Sequence, residues 1–90
     1  MAYYSIQWKK SAVKELQKIA KQVIPDIVEA VNALAVDPLP LGSKKIRGSL
    51  QTYRISKGDY RIIYSIEEYR LVVQVITVGH RKDIYQKFNP

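Results

Sequence analysis

The apolar positions along this chain change period near its middle. Between Tyr3 and Trp8, the residues Tyr4, Ile6 and Trp8 alternate with Tyr3, Ser5 and Gln7, which predicts a half-buried first strand. From Ser11 to about Gln22 the spacing lengthens, and Val13, Leu16, Ile19, Ala20 and Val23 fall on one helical face. The same spacing returns from Pro25 to Val36 in Ile27, Val28, Val31, Leu34 and Ala35. Pro25 suits the first turn of a helix, where its missing N–H would have no intrahelical acceptor. The two segments predict a helical hairpin with one apolar stripe, and the lysines of this region fall mostly off it. Asp37-Pro38-Leu39-Pro40-Leu41-Gly42-Ser43 suits neither helix nor central strand. It marks a change of structure and not a domain boundary, since neither flank is large enough to fold alone.

Beyond this connector the apolar period shortens to that of strands. Thr52 to Lys57, Tyr60 to Ile66 and Leu71 to Val78 are rich in Ile, Val and Tyr. Gly58-Asp59 reads as a two-residue hairpin turn with glycine first, and Glu68-Tyr69 as the second turn. Gly79 permits a bend at the end of the last strand, and Arg81 to Phe88 is expected to form a short helical turn. The expected fold is α+β, in the order β-α-α-β-β-β. The helical hairpin packs on one face of a small, mainly antiparallel sheet, in a single domain over residues 1–90.

The first hairpin turn fixes a register with chemical consequences. It sets Ser56 opposite Arg61 and Arg54 opposite Ile63, and residues directly opposite share a face. Arg54, Ser56 and Arg61 then project together, while Tyr53, Ile55, Ile62 and Tyr64 face the helices. A slip of one residue would exchange the two sets. With Glu68-Tyr69 as the second turn, Gln74 joins the Arg61 face, and Leu71, Val73 and Val75 join the helix face. Arg81 and Tyr85 are four apart, so a helical turn sets them on one side. The resulting constellation is Arg54, Arg61, Arg81 and Tyr85, with Ser56 and His80 nearby. On a strict strand His80 faces away from Arg81. Trp8 reads as core.

Charge sharpens that picture. The net charge of +7 is unevenly placed. Residues 1–43 carry five lysines against four acids, whereas residues 44–90 carry ten Lys and Arg against four acids. A clustered basic surface on a small domain attracts a polyanion, and Arg suits bidentate contact with phosphate. Converging arginines can offset the extra negative charge of a phosphoryl transition state, a tyrosine can stack on an unpaired base, and a His can move a proton. RNA carries its own nucleophile, the 2′-hydroxyl, so a protein that aligns it with the phosphate can cleave without a metal. The Asp and Glu positions form no obvious ligand cluster, one His cannot make a His-rich site, and there is no cysteine for a disulfide or a Cys-based zinc site. No metal and no cofactor is expected. Met1 to Lys10 lacks the apolar run of a signal peptide, and no stretch has the length to span a bilayer. A cytoplasmic protein without membrane partners is expected.

The segments Lys45-Ile46-Arg47-Gly48, Tyr53-Arg54-Ile55, Asp59-Tyr60-Arg61-Ile62-Ile63-Tyr64 and Val78-Gly79-His80-Arg81-Lys82-Asp83-Ile84-Tyr85 resemble the RelE toxin family. The N-terminal strand and the helical hairpin with its Asp37-Pro38 exit are similar to that family too. The resemblance implies a metal-independent endoribonuclease that cuts translated mRNA on the 70S ribosome by 2′-hydroxyl attack. It also implies a cognate antitoxin that neutralises the toxin in a hetero-oligomer. Carried over by position, the family's core arginine is Arg61, its C-terminal arginine Arg81 and its tyrosine Tyr85. Arg54 stands where well-known members have a lysine. A second lysine of that strand falls on Ser56, which leaves proton transfer to Lys57 or His80, or leaves cleavage to positioning and charge. Lys44, Lys45 and Arg47 match a basic stretch for RNA or ribosome contact. Two other readings remain open: a ParE-like toxin of the same fold that inhibits DNA gyrase, and a plain nucleic-acid-binding module. Retention of Arg61, Arg81 and Tyr85 favours the nuclease.

Overall fold

The computed structural model describes residues 3–87. The elements run β1 (Ser5–Trp8), α1 (Lys10–Gln17), α2 (Ile24–Ala33), β2 (Lys44–Lys45), β3 (Thr52–Lys57), β4 (Tyr60–Glu67), β5 (Val72–His80) and α3 (Arg81–Lys87). The expected α+β class holds, with a five-stranded sheet in the order β1-β5-β4-β3-β2. β1 runs parallel to β5 and the other pairs are antiparallel. Phe88, the expected end of the last helical turn, lies outside the described residues, as do Met1 and Ala2 of the N-terminal segment.

The helical hairpin forms, with shorter helices than the periodicity predicts. α1 stops at Gln17 and not near Gln22. The N–H groups of Lys18, Ile19 and Val23 bond to carbonyls three residues back, and this tighter winding turns the chain toward α2. The register of the stripe also differs: Ala12 is wholly buried and Val13 is 37% exposed. Ala20, expected on the stripe, is exposed. α2 begins with Pro25 in its first turn, as expected, and ends at Ala33. The next three N–H groups again bond three residues back, which leaves Val36 outside the helix and exposed. Ile27, Val31 and Leu34 are fully buried, each contributing roughly 1.5–3 kcal/mol.

The β3–β4 register is as expected, with Ser56 opposite Arg61 and Arg54 opposite Ile63. The second turn differs. It spans four residues, since Glu67 pairs with Val72 and Ile66 with Val73. Leu71 adopts φ +51° and is exposed, so it does not join the helix face. The shift is two residues, an even number, so Val73 and Val75 still meet the helices and Gln74 still shares the face of Ser65, its partner. β2, two lysines at the sheet edge, is too short for any period to reveal.

Two apolar layers result. On one face of the sheet, α1 and α2 cover Ile55, Ile62, Tyr64, Ile66, Val73, Val75 and Val78, and Trp8 packs against the rim of this core. Tyr64 is the largest fully buried side chain. Its hydroxyl donates to the carbonyl of Pro38 at 2.7 Å, which satisfies the polar tip and ties the connector to the sheet. On the other face, α3 seats Ile84 against Ile46 and Ile63, with Ile76 alongside. Beyond Val75 no β1 residue pairs with β5. There Glu15 of α1 covers the edge, accepting from the Thr77 hydroxyl at 2.7 Å and from the Val78 N–H at 3.3 Å. Among the described residues no helix is long and apolar enough to cross a membrane.

Candidate active site

The face of the sheet away from the helical hairpin carries Arg54, Ser56 and Arg61, by the β3–β4 pairing. Gly79, opposite Arg61 on β5, lies within a continuous strand and has no left-handed backbone. The expected bend is therefore absent at Gly79, and the chain enters α3 directly after His80. α3 then returns over this face and brings Tyr85 to the arginines.

Arg61 organises the site. Its Nε donates to the Tyr85 hydroxyl at 3.1 Å. Its Nη1 donates to the main-chain carbonyls of Gly58 at 2.9 Å and Tyr60 at 3.0 Å. The hairpin turn thus grips the guanidinium, and a planar fork held at two points is well oriented toward a third. The Arg61 guanidinium carbon lies 5.7 Å from the Tyr85 ring centroid and that of Arg54 lies 6.0 Å from it, within cation–π range. The Arg54 Nε is buried and, among the described residues, makes no hydrogen bond. The Arg61 hydrogen bond, aided by the charges of Arg61, Arg54 and Arg81, draws the Tyr85 phenol below its ordinary pKa of 10.0. A donor aimed at the phenol oxygen favours the anion.

Arg81 opens α3. Its N–H donates to the Asp59 carbonyl at 2.8 Å, and its Nε stands 4.0 Å from the Asp59 carboxylate. Both side chains are exposed, so this pair is weak, and Arg81 is free to meet an incoming anion. Asp59 and the turn carbonyls were not among the sequence candidates. Their signal was their place in the same two-residue turn that sets the register.

The remaining candidates divide. Ser56 lies on the arginine face, exposed, opposite Arg61. His80 does not join the constellation: it pairs with Tyr60 and packs edge-on to that ring at 5.8 Å, on the helix side. Its Nδ1 accepts from the Lys82 N–H at 3.2 Å. Lys57 also pairs with Tyr60 and lies by parity on the helix side. Lys44 sits opposite Arg54 and shares its face, whereas Lys45 sits opposite Tyr53 and does not. Arg47 is exposed in the loop after Ile46. Among the described residues no three of His, Asp and Glu come together as a metal-binding group.

A small α+β fold with arginines and a tyrosine gathered between a sheet face and a terminal helix matches known proteins. The family described as the ParE toxin of type II toxin–antitoxin systems, parDE, matches residues 6–85. The chain belongs to this family of toxins. It is 29% identical over 85 residues to toxin RelG of Mycobacterium tuberculosis, covering 93% of this chain and 98% of that protein. It is also 29% identical over 84 residues to the mRNA interferase toxin RelE of Escherichia coli, covering 91% and 86%. The toxin–antitoxin complex RelBE2 of M. tuberculosis contains a chain that superposes with a TM-score of 0.80 at 26% identity, covering 90% of this chain and 94% of that one. Within the family, these likenesses make it a RelE-type toxin.

Proposed function

We propose that this toxin is an endoribonuclease that cleaves messenger RNA on the ribosome, and that a cognate antitoxin holds it inactive in a hetero-oligomer. The observation that carries the reading is the hydrogen bond from Arg61 to the Tyr85 hydroxyl, with Arg54 and Arg81 close by. The 2′-hydroxyl proton of the RNA passes to the Tyr85 phenolate, and the 2′-oxygen attacks the adjacent phosphorus. The bond from phosphorus to the 5′-oxygen breaks, leaving a 2′,3′-cyclic phosphate and a 5′-hydroxyl end, the leaving oxygen taking its proton from water. Arg54, Arg61 and Arg81 stay cationic and offset the charge that builds on the phosphate. With Ser56 where a second lysine would stand, and with His80 and Lys57 on the opposite face, the role of base falls in this reading to Tyr85. Lys44 and Arg47 extend the basic surface for RNA.

Two features support the partners. The mRNA-interferase name of the E. coli relative agrees with this chemistry, and the RelBE2 structure pairs a similar toxin with an antitoxin. An acidic segment laid over the arginine face would neutralise the charge that binds RNA. A second reading, inhibition of DNA gyrase, has in its favour the ParE name of the matching family. One experiment separates them. The chain is induced in a bacterium and new 5′ ends are mapped on several messages, with and without their start codons. Cuts with 5′-hydroxyl ends inside reading frames, lost when translation is blocked, are expected. Growth arrest with intact messages and stalled gyrase would replace the nuclease reading with the second one.

A further inference from the structure

Gly79 lies where α3 comes closest to the sheet. A Cβ placed on it would stand 3.3 Å from Ile84 Cδ1 and 3.5 Å from Ile84 Cγ1. The first distance is tighter than ordinary carbon contact, so Ile84 would have to give by a few tenths of an ångström. The glycines that use a positive φ are Gly42, Gly48 and Gly58. The conformation of Gly79 is open to any residue, and what it contributes is the missing side chain.

Ile84 is hemmed in on the apolar side of the layer and borders, with Gly79 and His80, an open cleft beside α1. It is 1% exposed and sits against Ile46 and Ile63, with Ile76 alongside. Close-packed interiors transmit such a push instead of absorbing it. The free direction is outward, away from the sheet. The start of α3 is pinned by the Arg81 N–H on the Asp59 carbonyl, so a push at Ile84 tilts the helix about that point. Tyr85 is the next residue, and its hydroxyl meets Arg61 Nε at 3.1 Å. Arg61 itself is Gly79's cross-strand partner and is held by the hairpin turn, so it does not follow. We propose that Gly79 is a positioning residue: the absence of a side chain there sets the height of α3 over the sheet and keeps the Tyr85 hydroxyl on Arg61. The consequence for cleavage rests on Tyr85 acting as base; the geometric claim does not.

The test uses Gly79→Ala, Ile84→Val and the double variant of the whole chain. Ile84→Val removes Cδ1, the atom that the new methyl meets. Titration of Tyr85 is followed by NMR of carbon-13-labelled tyrosine, assigned with Tyr85→Phe, in the absence of RNA. Single-turnover cleavage of ribosome-bound message is measured alongside. Gly79→Ala should raise the Tyr85 midpoint toward the ordinary phenol value and slow cleavage about tenfold with little change in KM, as expected for a misplaced group. Ile84→Val alone should stay near wild type. The double variant should return both readouts to within about twofold of wild type, a coupling expected of residues in contact. A folded Gly79→Ala with an unmoved Tyr85 midpoint overturns the proposal, as does a double variant without rescue. If Gly79→Ala does not fold, the double variant decides: a wild-type Tyr85 midpoint upholds the proposal, and an unfolded or shifted one overturns it. Should the midpoints behave as expected while wild type cuts no RNA, the nuclease reading fails and the positioning role stands.

Discussion

Arg61 and Tyr85 form a unit at the level of single residues, because each sets what the other can do. The guanidinium is anchored by two carbonyls and offers its Nε–H to the phenol. That bond lowers the phenol pKa, so a usable fraction of phenolate exists at lower pH than a free tyrosine would allow. Tyr85→Phe should leave the fold intact, since the residue is 43% exposed and outside the buried core, and should cut single-turnover cleavage by about 10²–10⁴-fold. Arg61→Lys keeps the charge but loses the fixed fork. The rate of the wild type should rise with pH and level off below the ordinary tyrosine range. Arg61→Lys should move that rise to higher pH, and Tyr85→Phe should abolish it. A pH–rate profile unchanged in Arg61→Lys would show that the hydrogen bond does not tune the base.

Whole elements were legible in the sequence where a local turn and the apolar period agreed. Gly58-Asp59 and the alternation on both sides fixed the β3–β4 register, and with it the face shared by Arg54 and Arg61. The four-residue turn before β5 was not legible, because Leu71 is apolar yet takes a left-handed turn position. The parity of β5 through Val75 survived only because the shift was even. The end of α1 was hidden because Ile19 and Val23 continue the helical spacing while their backbone winds more tightly. The placement of His80 away from the arginines was hidden, because the irregularity opposite Ile63 and Tyr64 reverses the alternation of β5 beyond Val75, whereas that of Lys57 was legible by alternation. The packing of Ile84 on Gly79 was not, since it depends on where α3 returns. The connector carries its own prediction. Burial raises the Tyr64 pKa from 10.0 to about 12, so the folded state prefers the neutral phenol. Its contribution is present below pH 10 and is lost as pH rises from 10 to about 12, an effect of about 2–3 kcal/mol. Urea unfolding at pH 9 and pH 11 should show this loss in wild type and a smaller one in Tyr64→Phe. At pH 9 the Phe variant should be less stable by about 1–3 kcal/mol, because the Pro38 carbonyl loses its donor.

Over the molecule as a whole, the sheet acts as a partition between two chemistries. The hairpin face is apolar and supplies the main core, whereas the other face carries the arginines beside the smaller cluster of Ile46, Ile63 and Ile84. The lysines of the N-terminal half are nearly balanced by acids, so the net +7 belongs mostly to residues 44–90. An RNA strand laid on the arginine face should displace counterions in proportion to the phosphates it contacts. For single strands, the slope of log K against log salt is about −0.7 per contact. If Lys44, Arg54, Arg61 and Arg81 each meet a phosphate, that slope is about −2.8. Adjacent residues on opposite faces give the sharpest check. Lys44 pairs with Arg54 and Lys45 with Tyr53, so Lys44→Ala should flatten the slope by about 0.7 while Lys45→Ala leaves it nearly unchanged. Both are exposed lysines of a two-residue edge strand, so neither substitution should disturb the core. The measurement is the affinity for a single-stranded oligonucleotide lacking 2′-hydroxyls, which binds without being cut, over a range of salt. Equal effects of the two lysines would mean that RNA follows the edge of the sheet and not its arginine face.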